Sequence, residues 1–173
     1  MEKLFKLLSD AQASLFVLFH KTWIYHWNVV GKDFQQLHTL FGGQYETMFE
    51  EIDRLSEHMR YLNVKPLSSL NRVLEVSKVK EASSSANAES MISDLLQSNI
   101  DFCDMMGEIS EEAETQKQYA TANLVQDLME SHGKFVWMLR SFSDSGSKKV
   151  QEEVEEEIIE EEPIDEVEET TEE

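Results

Sequence analysis

A single cysteine, Cys103, in 173 residues leaves no intrachain disulfide to form and fits a reducing compartment. On a helix it reads as a small buried apolar residue. Two prolines and six glycines are too few breaks for a chain of short strands and turns. Cations are scarce as well: 15 Lys and Arg stand against 35 Asp and Glu, a formal net charge of −20. A tight polyphosphate binder needs clustered Lys and Arg to release counterions, and this chain has no such cluster. No apolar run approaches the roughly 18 residues that would span a bilayer. The start, MEKLFKLLSDAQ, interrupts its apolar residues with Lys, Ser and Asp, so no signal peptide is expected. A soluble cytoplasmic protein with one folded domain is the expectation.

The acid is unevenly spread. Residues 151–173 hold 14 acidic residues and no Lys or Arg; without them the net charge of −20 drops to −6 for the first 150 residues. Residues 1–143 are therefore read as a folded domain. Residues 144–173 are read as an acidic low-complexity tail, disordered because dense like charge and few apolar anchors cannot offset the entropy of ordering.

Before residue 143 nearly everything has helical period. In helix one Leu4, Leu8, Ala11, Leu15 and Leu18 recur at spacings of four and three, and a second stripe holds Phe16, Phe19, Trp23 and His26. Two apolar stripes predict burial on two sides, one of them against another subunit. Gly31 ends this helix, and Asp33 is available to cap the next. Helix two is expected over Phe34 to Tyr61, with Phe34, Leu37, Phe41, Tyr45, Met48, Ile52, Leu55 and Met59 as its stripe. Residues 63–86 read as a long crossover that can hold a short helix over Leu67 to Val76. Helix three then starts near Asn87, with Met91, Leu95, Phe102, Met106 and Ile109. Helix four covers about Tyr119 to Phe142, with Val125, Met129, His132, Val136 and Leu139 in register. The methionines on these stripes are read as core filling. Four helices with short outer links and one long middle connection describe an all-α, ferritin-like four-helix bundle.

The chemistry concentrates in His26, His38, Asp53 and Glu57. In a hairpin that turns around residue 32, His26 and His38 stand six residues either side and so at one level. Asp53 and Glu57 are an i, i+4 pair whose carboxylates can converge on one cation; unbalanced, such a like-charged pair is mildly destabilising. Arg54 and Arg60 are the nearby cations that could balance it. Taken singly, the histidines also read as hydrogen-bonded core residues, the acids as a solvated helix face and Trp27 as core. His20, His58 and His132 are given structural roles. His38 and Asp53 lie 15 positions apart, roughly 22 Å along one helix at about 1.5 Å per residue. One subunit cannot bring all four together. A two-fold dimer with antiparallel second helices would face His26 and His38 of one chain with Asp53 and Glu57 of the other. Imidazole with carboxylate suits Fe(II), Mn(II) or Zn(II), and the carboxylates tilt the set toward iron or manganese.

The run HWNVVGKDFQQLHTLF, followed by DRLSE and later by KFVWMLRSF, resembles the Dps family, the DNA-protection-during-starvation mini-ferritins. The likeness covers residues from about 5 to 142 and stops before the acidic tail. It implies a homo-oligomer, a dodecameric shell, with ferroxidase centres at two-fold interfaces. There Fe(II) is oxidised, preferably by hydrogen peroxide, and ferric mineral is stored inside. Carried over by position, His26 and His38 would be metal ligands from one subunit and Asp53 and Glu57 from its mate. Trp27 resembles the family's tryptophan that traps oxidising equivalents, a catalytic role.

Two departures qualify the resemblance. The family usually has an acidic residue four positions after its second histidine, and here that position is Gly42, followed by Gly43. The expectation is one firm metal per site, held by His26 with Asp53 and Glu57, and a weak or transient second at His38. Glu46, one turn further, is about 80° off the required direction. DNA-binding members commonly carry Lys-rich tails, whereas this chain offers Lys3 and Lys6 and ends in a polyanion, so direct DNA coating is disfavoured. Glu108, Glu111 and Glu112 are among the carboxylates available to nucleate mineral. The alternative reading is a catalytically weakened shell that acts as a scaffold through its acidic tail. Deleting residues 148–173 separates the two: unchanged iron oxidation with lost partner binding would assign recruitment to the tail.

Overall fold

The computed structural model describes residues 1–143, and the expected acidic tail lies outside the described residues. The described chain is helical: α1 (Glu2–Asn28), α2 (Phe34–Tyr61), α3 (Leu70–Val76), α4 (Ala88–Thr115) and α5 (Tyr119–Arg140). Four long helices form the bundle, and the short α3 sits within the crossover, starting three residues later than the sequence allowed.

Local chemistry sets the ends. Gly31 takes φ +118° at the α1–α2 turn, a conformation open to a residue without Cβ. The Asn87 side chain accepts from the Ser90 N–H at 2.9 Å and caps α4. Asn63 and Lys117 adopt positive φ just past α2 and α4. The next N–H groups return to Met59 at 2.8 Å and to Ala113 at 2.7 Å, closing both helices with six-residue loops.

The first stripe of α1 is the core: Leu4, Leu8, Ala11, Leu15 and Leu18 are fully buried. Each such leucine contributes about 1.5–3 kcal/mol relative to exposure. On the second stripe Phe16, Phe19, Trp23 and His26 remain half-buried. The stripe of α4 is buried throughout, as its spacing predicts. Helices α2 and α5 deviate. On α2 the core positions include Gln44 and Glu51, while Tyr45 and Ile52 lie half-buried at its margin and Phe34 is exposed. On α5 Leu128 and Phe135 enter the core, whereas Met129 is exposed. Sequence period locates a face to within about one residue, or 100°. Neighbouring helices choose the final rotation.

Side chains of α1 fasten the crossover. Gln12 Oε1 accepts from the Leu67 N–H at 3.2 Å, Ser14 Oγ from Lys78 N–H at 2.9 Å and Tyr25 Oη from Ser83 N–H at 3.1 Å. Beneath the last contact, Lys21 is 1 % exposed and donates to Asp94 at 2.7 Å and Ser98 at 3.0 Å. Tyr25 donates to the other Asp94 oxygen at 2.6 Å. Burial, and then the Asp94 hydrogen bond, push the Tyr25 phenol up to about 12, so it stays a neutral donor.

Cys103 is half-buried, with its thiol toward the Met129 carbonyl at 3.7 Å. Burial first, and Asp104 second, push that thiol up to about 11. Alkylation reacts through the thiolate. We expect iodoacetamide at pH 8 to label the native protein far more slowly than the denatured chain; equal rates would refute the shielded environment.

Candidate metal centre

The α1–α2 hairpin brings His26 and His38 together. Their rings stack with centroids 3.8 Å apart and planes at 20°. The His26 Nδ1 lies 2.7 Å from the His38 carbonyl oxygen, and the His38 Nδ1 lies 2.8 Å from that of His26. A carbonyl can only accept, so each Nδ1 carries the hydrogen and donates it. In the neutral imidazole the lone pair then sits on Nε2, the tautomer that a metal ligand needs. The two histidines thus set each other's tautomer through the opposite backbone, an arrangement no single-residue reading reveals.

The stack also bears on stoichiometry. A nitrogen lone pair lies in its ring plane, and these planes are nearly parallel. A cation on one lone-pair axis at about 2.0–2.1 Å is therefore out of the other ring's plane. One cation cannot lie on the lone-pair axes of both stacked rings at once.

Gly42 lies against this stack. A Cβ there would stand 3.3 Å from His26 Cε1 and 3.4 Å from His26 Nδ1, tighter than ordinary contact. The absent carboxylate and the close ring packing are consequences of one residue.

Asp53 and Glu57 are on the exposed face of α2 and do not reach the histidines within this chain. Their suggested basic partners are engaged elsewhere. Arg54 pairs with Asp127 of α5 at 2.5 Å, and Arg60 donates to the Val64 carbonyl at 3.5 Å. Among the described residues neither carboxylate is ion-paired, and no group of three or more His, Cys, Asp or Glu of one chain could hold a metal ion. His58 instead approaches Thr121 Oγ1 at 2.9 Å, and burial lowers its pKa.

His132, given a structural role from the sequence, has two partners in the fold. Its Nδ1 is 2.6 Å from Asn99 Oδ1, and its Nε2 is 3.1 Å from Glu51 Oε2, all three residues buried. Asn99 Nδ2 donates to the Leu95 carbonyl at 2.7 Å, so the Asn99 oxygen faces the imidazole as acceptor. Both ring nitrogens of the buried His132 thus have a partner from another helix. The single signal for this triad was a polar residue on each of three core stripes.

Trp27 is 55 % exposed beside His26, not core, with its ring 4.6 Å from Trp23. Trp23 and Phe19 of α1 with Leu70 and Leu74 of α3 flank an apolar groove of about 290 Å³. Phe49, Leu70 and Leu74 are exposed on this side at 60 %, 66 % and 48 %. No helix among the described residues is long and apolar enough to cross a membrane.

A family model described as a ferritin-like domain matches residues 5–149. The chain is 33% identical over 138 residues to a low temperature-induced protein of Nostoc sp., covering 79% of this chain and 77% of that one. It is 32% identical over 139 residues to a DNA protection during starvation protein of Brevibacillus brevis, covering 79% and 91%. Among solved structures, Dps from Thermosynechococcus elongatus superposes with TM-score 0.80 at 28% identity, covering 82% and 90%. A Dps protein from Vibrio cholerae O1, described as a member of a broad superfamily of ferritin-like diiron-carboxylate proteins, superposes with TM-score 0.78 at 29% identity, covering 82% and 89%.

Proposed function

The chain belongs to the Dps branch of the ferritin-like family, and on that premise we propose that it is an iron-storing ferroxidase that protects against oxidative damage. It binds Fe(II) at sites shared between two copies, oxidises it preferentially with hydrogen peroxide and keeps the ferric product inside a dodecameric shell. The observation that carries this reading is the reciprocal histidine lock, which leaves both Nε2 lone pairs available beside an apolar face. That face is large, aromatic and half-buried, as a surface waiting for a second copy should be. Seating a two-fold mate there, with its α2 antiparallel, brings the mate's Asp53 and Glu57 to His26 and His38.

The roles divide by chemistry. His26 with Asp53 and Glu57 holds the firm ion. His38 holds a second ion weakly, because Gly42 supplies no carboxylate. Iron gives the electrons, while the protein fixes geometry and excludes side reactions. Zn(II) and Mn(II) satisfy the same donors and would compete. Trp27, exposed beside His26, is the residue that takes up stray oxidising equivalents. With −20 on each chain, coating of DNA is disfavoured at physiological salt.

Anaerobic Fe(II) titration followed by a peroxide pulse tests the reading, with ferric absorbance and metal count recorded together. The expected result is binding of at least one iron per subunit and oxidation well above the rate in buffer, both lost in His26→Ala. Absent binding and a buffer-like rate would leave a ferritin-like shell without this chemistry.

A further inference from the structure

A glycine inside a helix destabilises it relative to alanine. Among the described residues four glycines stand inside long helices: Gly42, Gly43, Gly107 and Gly133. At the last three a Cβ would meet nothing within 4 Å. Gly42 is the exception. The His26 ring fills the space that its Cβ would need, with Cε1 at 3.3 Å and Nδ1 at 3.4 Å.

That ring has little room to retreat. Its Nδ1 donates to the His38 carbonyl at 2.7 Å, and its face lies on the His38 ring with centroids 3.8 Å apart. Phe34 also stacks on the His38 ring, at 5.1 Å with planes at 29°, so His38 is held in turn. Tyr45 meets the His26 ring edge-on at 5.2 Å. The contact is also chemically placed. Of the two ring atoms nearest Gly42, Nδ1 carries the hydrogen that fixes the tautomer. A carboxylate brought in at position 42 would enter beside that hydrogen. It would compete for it with the His38 carbonyl, and an ionised acceptor makes the stronger hydrogen bond.

Resting on the metal-centre reading above, we propose that Gly42 is a positioning residue, whose missing side chain seats the His26 ring in the lock that presents Nε2 to the cation. The single firm ion is then set by the shape of α2 as well as by a missing ligand. Replacing Gly42 with an acid does not rebuild a second metal site. It displaces the His26 ring, opens the hydrogen bond to His38 and weakens the hold on the first ion.

The test titrates the full-length protein anaerobically with Co(II). Its visible bands shift when imidazole replaces oxygen ligands, which separates the centre from surface and tail carboxylates. Wild type, Gly42→Ala, Gly42→Asp and Gly43→Ala are compared, with His26→Ala as the blank. Gly43→Ala makes the same chemical change one residue away, into open space. Alanine favours the helix, so both alanine variants at these glycines should keep helical content and oligomer size. Wild type and Gly43→Ala are expected to bind one Co(II) per subunit with equal affinity. Gly42→Ala should bind about 10–100-fold more weakly, the usual cost of disturbing a group that orients a metal ligand. Gly42→Asp should be at least as weak and take no second ion. Crystal structures of metal-free wild type and Gly42→Ala give a reading without metal: in the variant His26 Nδ1 should leave hydrogen-bond range of the His38 oxygen.

Wild-type affinity or an unmoved His26 ring in Gly42→Ala overturns the role of Gly42 alone. So does equal weakening in Gly43→Ala, a second tight ion in Gly42→Asp, or loss of the fold in Gly42→Ala, because the proposal confines the strain to one ring. Wild type with no His26-dependent Co(II) band overturns the positioning role and the metal-centre reading together.

Discussion

Asp94→Ala is expected to lower stability by about 3 kcal/mol, the lower end of the roughly 3–5 kcal/mol for breaking a buried ion pair. The substitution strands the Lys21 ammonium, which is 1 % exposed and would keep Ser98 as its one named acceptor. It also removes the acceptor of the Tyr25 hydroxyl and loosens the Ser83 contact that fastens the crossover. Asp94 is itself 35 % exposed, so water entering its place offsets part of the loss, which is why the lower figure applies. For a chain of this size about 3 kcal/mol corresponds to a fall in Tm of roughly 6–12 °C. Adding Lys21→Met should recover much of it, because a well-packed apolar residue costs less than an unpaired buried charge. Thermal unfolding of the three proteins at equal concentration checks this. A shift in Asp94→Ala too small to measure would mean that Lys21 finds other acceptors.

Glu57→Ala is expected to do the opposite: leave the fold intact and remove the iron chemistry. Glu57 is exposed and not ion-paired within the chain, so stability should move by no more than about 0.5 kcal/mol. Relief of the i, i+4 repulsion with Asp53 makes a small gain the expected sign. For iron, a lost carboxylate ligand should cost more than the roughly 10–100-fold typical of losing a supporting partner. Helical content, melting point and oligomer size should match wild type while Fe(II) retention and peroxide-driven oxidation collapse. Unimpaired oxidation in an intact shell would exclude Glu57 from the centre.

The stripe on α4 was legible because an amphipathic helix with one buried face has one solution: Met91, Leu95, Phe102, Met106 and Ile109 are all buried. On α5 the same reasoning missed by one position, and Met129 faces out where Leu128 faces in. An isolated helix has no preference between two such rotations; the facing ridges of its neighbours do. Gly42 was legible as a missing carboxylate, yet its contact with the His26 ring was not, since that depends on how close α1 and α2 pack.

By itself the sequence determined the helix count, the long crossover, the level at which His26 and His38 meet, and the impossibility of joining them to Asp53 and Glu57 within one chain. These follow from 3.6-residue periodicity and a fixed rise per residue, properties of the backbone alone. Only the tertiary structure decided the tautomers of the two histidines, the partners of His132 and Lys21, and the edge-on contact of the Tyr45 ring with His26. Each depends on atoms from different helices meeting within hydrogen-bond or van der Waals range. That proximity is set by the packing of the whole bundle and is recorded in no local stretch of residues.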